Sequence, residues 1–203
     1  MSSTIPSPFV EQRDFLPEAM AAAVLDFAIA NQAAFVPTTI YRKGVMVEES
    51  TFRRSLRFKG KLGQLKDDLK AALRASFPDL CRACGMAPFS LHGIEMELAA
   101  HRDGGFYHGH IDTLVAEAQA DTTRVLTAVY YVNRSPRPFS GGELALYPLA
   151  GEGEARLFQP EHNLLVAFPS IAFHEVRPVS LPSDDFGDAR FAINCWFERG
   201  PAA

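Results

Sequence analysis

From about residue 90 onward the chain reads as a run of short strands separated by turn signals. That spacing limits the possible folds more than any other feature. Ile94-Glu95-Met96-Glu97-Leu98 alternates apolar and charged residues, as a half-buried antiparallel strand does. Val125 to Val132 is too apolar to have a wet face and belongs at the centre of a barrel. Ser140-Gly141-Gly142-Glu143-Leu144 is a turn feeding a strand, and Ala155 to Phe158 and Asn163 to Phe168 flank the short turn Gln159 to His162. With Phe173 to Val176 and Arg190 to Phe197 the count reaches about eight strands, which suggests a sandwich or barrel and argues against a β-α-β fold.

The first 90 residues carry the helical signals. Phe15-Leu16-Pro17-Glu18 starts a helix, with Pro17 suited to the first helical position and Glu18 to the positive end of the dipole. The Ala-rich stretch to Ala30 continues it and is expected to bury Met20, Val24, Phe27 and Ile29. A second helix is expected from Leu62 to Ser76. Leu62, Leu65, Leu69, Leu73 and Phe77 form one apolar stripe, and Pro78 marks the end. Between the helices, Phe52 to Lys61 interleaves basic and aromatic residues. Such a stretch can read single-stranded nucleic acid, or it can be an amphipathic strand with its arginines in water and Leu56 and Phe58 buried. A net charge of -4 favours the second reading.

At 203 residues with 47% hydrophobic content, one domain over 1–203 is the default, with 1–90 as helical support and 91–199 as the β core. The acidic balance gives no global case for nucleic acid or an anionic membrane. No apolar run approaches the roughly 20 residues of a membrane span, and Met1 to Pro8 lacks the pattern of a signal peptide, so the expected location is cytoplasmic. Three cysteines make a poor disulfide framework. Cys81 and Cys84 form a C-x-x-C without a second pair for zinc, leaving a redox pair or, favoured, an incidental one; Cys195 reads as core. His92 and His162 fall in turns and are expected to be solvated.

The chemistry concentrates in two places. His110 and Asp112, two apart after the apolar run Phe106-Tyr107, point to one side of an extended strand. A second H-x-D, His101 and Asp103, runs into Gly104-Gly105, which marks Asp103 as a turn residue. His174 would complete two imidazoles and a carboxylate, a set that covers one face of Fe(II) and leaves positions open. Taken alone, His174 is equally a satisfied histidine at a strand end. His108 shares a face with His110 and is assigned to the entrance, because a cupin-type His-x-His site wants a glutamate closer than Glu117. In the last strand Arg190, Ala192, Asn194 and Trp196 share the inner face, and Phe191, Ile193, Cys195 and Phe197 the outer. An inward arginine needs either an anionic ligand or an internal protein carboxylate.

The motifs H-x-D, Y-Y-V-N, S-G-G-E-L, H-E-V-x-P and R-F-A-I-N-x-W follow one another between Ile94 and Arg199. In that order the chain closely resembles the 2-oxoglutarate- and Fe(II)-dependent dioxygenases, in particular their prolyl-4-hydroxylase-like branch. The resemblance implies a mainly β (α+β) fold: a double-stranded β-helix of the jelly-roll or cupin-like kind, with the N-terminal helices packed on one sheet. It implies His110, Asp112 and His174 as metal ligands, and Arg190 on the distal carboxylate of 2-oxoglutarate with Tyr131 and Asn194 nearby. His101 stands close to where many prolyl hydroxylases place a tyrosine on the co-substrate. Tyr107, His108, Arg124 and Trp196 are expected at the substrate entrance. The implied cofactors are Fe(II), 2-oxoglutarate, O2 and ascorbate. The substrate, a protein prolyl residue or a small metabolite, is not legible. The base-demethylating relatives usually carry a second arginine shortly after the co-substrate arginine; Asn194 to Phe197 has none, which disfavours nucleic acid. Residues 179–188 lengthen the segment before Arg190 and suggest a lid or substrate-selecting loop beside the metal. The competing readings are a non-catalytic metal-binding or sensing module and a cupin-type metalloenzyme independent of 2-oxoglutarate. The complete triad with Arg190 favours the enzyme.

Overall fold

The computed structural model describes residues 4–42, 45–47, 50–113 and 122–200; Glu117 lies outside them. In chain order the first half holds β1 (Val10–Gln12), α1 (Glu18–Ala30), β2 (Phe35–Pro37), β3 (Ile40–Arg42), β4 (Val45–Val47), β5 (Arg53–Arg54), β6 (Leu56–Phe58) and α2 (Gln64–Ala83). The second half holds β7 (Leu91–His101), β8 (Phe106–His110), β9 (Thr123–Val132), β10 (Ser140–Gly141) and β11 (Leu144–Leu146). It continues with β12 (Arg156–Phe158), β13 (Leu164–Pro169), β14 (His174–Val176), β15 (Val179–Ser180) and β16 (Arg190–Arg199).

Two antiparallel sheets dominate. One has seven strands in the order β1-β13-β9-β16-β7-β6-β2, the other five in the order β12-β11-β14-β8-β5. Ser55 alone separates β5, paired with β8, from β6, paired with β7, so the chain turns from one sheet into the other within a single residue. β10 and β15 form a two-stranded pairing of their own, as do β3 and β4. The architecture is the expected double-stranded β-helix, mainly β with two helices among the described residues.

β16 follows its sequence alternation. Phe191, Ile193, Cys195 and Phe197 enter the core under the helices with Leu69, Leu73 and Phe77. Phe77 stacks on Phe197 at 5.5 Å. Burying each such phenylalanine stabilises the fold by about 1.5–3 kcal/mol. On the other face Ala192 joins Val129, Tyr131, Val166 and Phe168 in a second core between the sheets.

Four local expectations change. Pro17 is the residue before α1, one earlier than expected, and the buried stripe is Ala21, Val24 and Ala28; Met20, Phe27 and Ile29 only pack partly against the core. α2 does not stop at Pro78 but carries it inside the helix, because the following turn buries Leu80 and Cys81. Packing of that last turn outweighs the lost backbone hydrogen bond. Arg53 does not face water: it is 9% exposed and ion-paired with Glu97 at 2.6 Å. Ile94, Met96 and Leu98 of β7 pack toward the helices. Glu95 and Glu97 stand opposite Trp196 and Asn194 and so share the inner face, where Arg124 and Arg53 compensate them. Alternation fixes the period of a strand, not which side is wet.

Candidate metal centre and anion anchor

β8 and β14 place His110 directly opposite His174. Asp112 follows in the turn after β8, where the N–H groups of Asp112 and Thr113 donate to the Ser170 carbonyl at 2.9 and 3.1 Å. The turn carrying the carboxylate is thereby stitched to the turn that leads into His174. The three candidate ligand atoms lie within 4.8 Å of one another. His110 Nε2 is 3.5 Å from Asp112 Oδ1, and His174 Nε2 is 3.5 Å from Oδ2.

Both imidazoles are locked in one tautomer. His110 Nδ1 meets the His108 carbonyl at 2.8 Å and His174 Nδ1 the Ala172 carbonyl at 2.9 Å. A carbonyl only accepts, so each Nδ1 carries the proton and each Nε2 lone pair is left for a cation. Thr127 Oγ1 donates to Asp112 Oδ2 at 2.9 Å and also meets Ser170 Oγ. Burial alone would raise the Asp112 pKa. The adjacent His110 and His174 side chains and the Trp196 indole outweigh it and hold the carboxyl well below the usual range. Burial lowers the His174 pKa despite the pull of Asp112, which keeps that imidazole neutral. A neutral nitrogen donor, an ionised carboxylate and tautomers turned inward fit a divalent transition metal. The structure brings His110, Asp112 and His174 together, while Asp103 is an exposed turn residue whose Oδ1 accepts from Leu181 N–H.

On the inner face of β16, in the other sheet, Arg190 is 1% exposed. Its Nε donates to the Gly142 carbonyl at 2.7 Å, its Nη1 approaches His101 Nδ1 at 3.4 Å, and its guanidinium lies 5.0 Å over the Tyr131 ring. Gly142 has φ +70°, and a Cβ there would stand 2.7 Å from Arg190 Cδ; the second glycine of S-G-G-E-L is what lets the arginine lie across the turn. Arg190 Nη2, Tyr131 Oη and His101 Nε2 are all buried without a hydrogen-bond partner among the described residues. Each orphaned donor costs about 1–3 kcal/mol. No carboxylate among the described residues forms a salt bridge with Arg190, which removes the internal-ion-pair alternative. Burial pushes the Tyr131 hydroxyl up to about 12 against the opposing effect of Arg190, so it stays a donor. A ligand carrying a carboxylate fits this group of donors. Asn194 lies half-buried on the same face of β16 but outside that group.

The entrance residues divide. Arg124 bonds Glu95 Oε2 through Nε at 3.1 Å and Nη2 at 2.6 Å and lies 4.0 Å over the Trp196 ring, closing one side of the inner face. Tyr107 stacks on His110, centroids 3.6 Å apart and planes 21° from parallel. His108 does not share a face with His110. It is exposed and its ring meets Phe106 at 4.6 Å. The cause is a register slip: His174 opposes His110, but Val176 opposes Tyr107, so His108 and Gly109 together face the single residue Glu175. This bulge turns Tyr107 to the side of His110. A Cβ on Gly109 would run into the Phe173 ring.

Sequence reasoning missed Arg53, Glu97, Thr127 and Ser170, each of which meets a partner distant in the chain. The 179–188 segment lies at the Arg190 end. Val179 exchanges backbone hydrogen bonds with Gly104 and Gly105, Phe186 packs on Phe35 and Phe191, and Arg134 bridges Asp185 and Asp188 at 2.7 Å each. These contacts make it a packed connector and not a lid over the triad. Cys81 and Cys84 are buried free thiols. Burial raises both, Cys84 to about 12, which disfavours thiolate chemistry. His162 accepts from Asn133 N–H and pairs with Glu18 at 3.3 Å, so it is not simply solvated; His92 is exposed but lies in β7. No helix among the described residues is long and apolar enough to cross a membrane.

The model of the 2OG-Fe(II) oxygenase superfamily matches residues 96–198. An uncharacterized PKHD-type hydroxylase from Synechocystis sp. is 27% identical over 202 residues, covering 96% of this chain; the chain spans 64% of that relative's length. Among solved structures, a Pseudomonas putida prolyl-4-hydroxylase superposes with a TM-score of 0.69 at 22% identity, covering 96% of this chain and 94% of that one. A Trichoplax adhaerens prolyl hydroxylase, in complex with a hypoxia inducible factor oxygen degradation domain peptide fragment, gives 0.66 at 23% identity, with 94% and 83% covered.

Proposed function

The chain belongs to the 2OG-Fe(II) oxygenase superfamily, and from that premise we propose that it hydroxylates an unactivated carbon of its substrate while converting 2-oxoglutarate to succinate. The observation that carries this reading is the pair of sites that β9 serves between the two sheets: three convergent ligands, where Thr127 bonds Asp112, and an arginine-centred group of orphaned donors that includes Tyr131.

His110, Asp112 and His174 would hold Fe(II) on one face. Arg190 would take the distal carboxylate of 2-oxoglutarate, with the Tyr131 hydroxyl as a second donor. When bound, the metal and co-substrate supply the oxidation: dioxygen and 2-oxoglutarate become succinate, carbon dioxide and one oxygen atom inserted into a C–H bond. The protein orients. The two Nδ1–H bonds aim the imidazoles, Thr127 and Ser170 steady the carboxylate turn, and Gly142 and His101 set the guanidinium. The two inner-face ion pairs, Arg124–Glu95 and Arg53–Glu97, give the substrate side a polar wall. The peptide bound to the Trichoplax neighbour supports a polypeptide substrate, and the prolyl hydroxylases among the neighbours support proline within it.

Succinate formation tests the proposal. Purified protein with Fe(II), 2-oxoglutarate and air should produce succinate slowly without substrate and faster with a proline-containing peptide. Anaerobic samples should produce none. Complete absence of succinate with metal bound would favour the non-catalytic module, and oxidation that does not need 2-oxoglutarate would favour the cupin-type enzyme.

A further inference from the structure

Among the described residues of the first half of the chain, Arg53 reaches the inner space, and its contacts run to the metal centre. Arg53 stands directly opposite Tyr107 where β5 pairs β8. Its Nε donates to Ser55 Oγ at 2.9 Å and its Nη2 to Glu97 Oε1 at 2.6 Å, so the guanidinium is oriented from two sides. The carbon of that guanidinium lies 4.6 Å over the Tyr107 ring. An aromatic ring has two faces. The His110 imidazole, 3.6 Å away and nearly parallel, covers one, which leaves the other for Arg53. The result is a column of three flat groups, guanidinium, phenol and imidazole, with Glu97 fixing the far end.

This column meets a need of His110. Its side chain is 13% exposed, against 5% for His174, and the ring has one hydrogen bond, from Nδ1 to the His108 carbonyl. A single bond leaves the imidazole free to swing about it. His174 is buried deeper and also packs on Phe168 at 4.7 Å. Tyr107 supplies the second restraint on His110, and a guanidinium pressed on the opposite face holds the phenol in place through a cation–π contact, stronger when desolvated. Arg53 lies outside residues 96–198 and touches no ligand itself.

We propose that Arg53 is a positioning residue of the metal centre: acting through Tyr107, it fixes the plane of the His110 imidazole and so sets metal affinity. The proposal rests on the metal reading of His110, Asp112 and His174. Groups that orient a ligand commonly matter by about 10–100-fold in affinity. Glu97 balances the charge of Arg53, so geometry is what is transmitted.

The test uses the whole chain with Mn(II) or Co(II) and no co-substrate. Arg53→Met should weaken Mn(II) binding by about tenfold in calorimetry and shift the visible d–d bands of the Co(II) form, while far-UV dichroism is retained. Arg53→Lys, which keeps a cation, should fall between. In a Tyr107→Leu background, Arg53→Met should cause no further loss. Unchanged affinity and bands in Arg53→Met would overturn the proposal, and so would losses that add fully in the double variant. Should Arg53→Met fail to fold, Arg53→Lys decides by the same two readouts. His110→Ala is the control: if it still binds the metal, the metal reading itself has failed, whereas loss there with an unaffected Arg53→Met sinks only the positioning role.

Discussion

Arg190 and His101 face each other across β16 and β7, with Nη1 3.4 Å from Nδ1. A guanidinium only donates, so Nδ1 of His101 accepts, and a neutral ring then carries its proton on Nε2. Burial and the charges of Arg190 and Arg53 both lower the His101 pKa, which keeps the ring neutral. The anchor for an anion is therefore built from one fixed cation and neutral donors.

Replacing Arg190 tests that anchor. Arg190→Met keeps the stem and loses a charge-assisted, forked contact, so 2-oxoglutarate binding to the Mn(II) form should weaken by roughly two orders of magnitude. Arg190→Lys should lie between. Metal affinity without 2-oxoglutarate should barely move. Titration calorimetry on the three proteins reads all of this; unchanged affinity in Arg190→Met would remove it from the site.

Acid should destabilise the metal-free protein in a defined window. His101 and His174 have folded pKa values below the ordinary 6.5. Above pH 6.5 neither state binds the proton and there is no effect. Below it the unfolded chain takes up protons that the fold refuses, so stability falls as pH drops toward the folded values. The slope should approach about 1.4 kcal/mol per pH unit for each group. Urea unfolding between pH 7.5 and 5 measures it, and His101→Gln should remove one group's share.

Alanine at His110 or His174 should abolish stoichiometric Mn(II) binding with the fold kept. Alanine at Asp103 should leave binding intact, since its carboxylate accepts from Leu181 N–H instead. Loss of metal in Asp103→Ala would reverse the choice between the two H-x-D motifs.

The connector before Arg190 should behave as frame. Phe186 is 3% exposed, against Phe35 and Phe191. Phe186→Ala should cost about 3–5 kcal/mol in denaturant unfolding. Succinate formation with and without substrate should fall together; loss confined to the coupled reaction would restore a substrate-selecting role.

Much of the site could be read from the sequence because it obeys a period of two. Arg190, Ala192, Asn194 and Trp196 needed only alternation to be placed on one face, and the i, i+2 spacing gave His110 and Asp112. His174 stands opposite His110 through a pairing that no local pattern reveals, so only its motif pointed there. The sense of β7 was hidden because its inward glutamates are satisfied by Arg124 and Arg53, which arrive from distant strands. Pro78 misled because a local helix-stop rule yields where the next turn has a core to enter.

Two residues three apart in an even strand face opposite ways, yet Tyr107 and His110 lie ring on ring. The strand miscounts once, and an odd spacing becomes a shared wall. Deleting His108 or Gly109 would remove the bulge and leave Tyr107 two residues before His110, still on the same side, so the wall tolerates either count. A pattern search for such a wall must therefore allow both parities upstream of the first histidine. A designer who must brace a ligand at a strand end from an odd spacing has the same recourse: one bulge in the strand, with the loops unchanged.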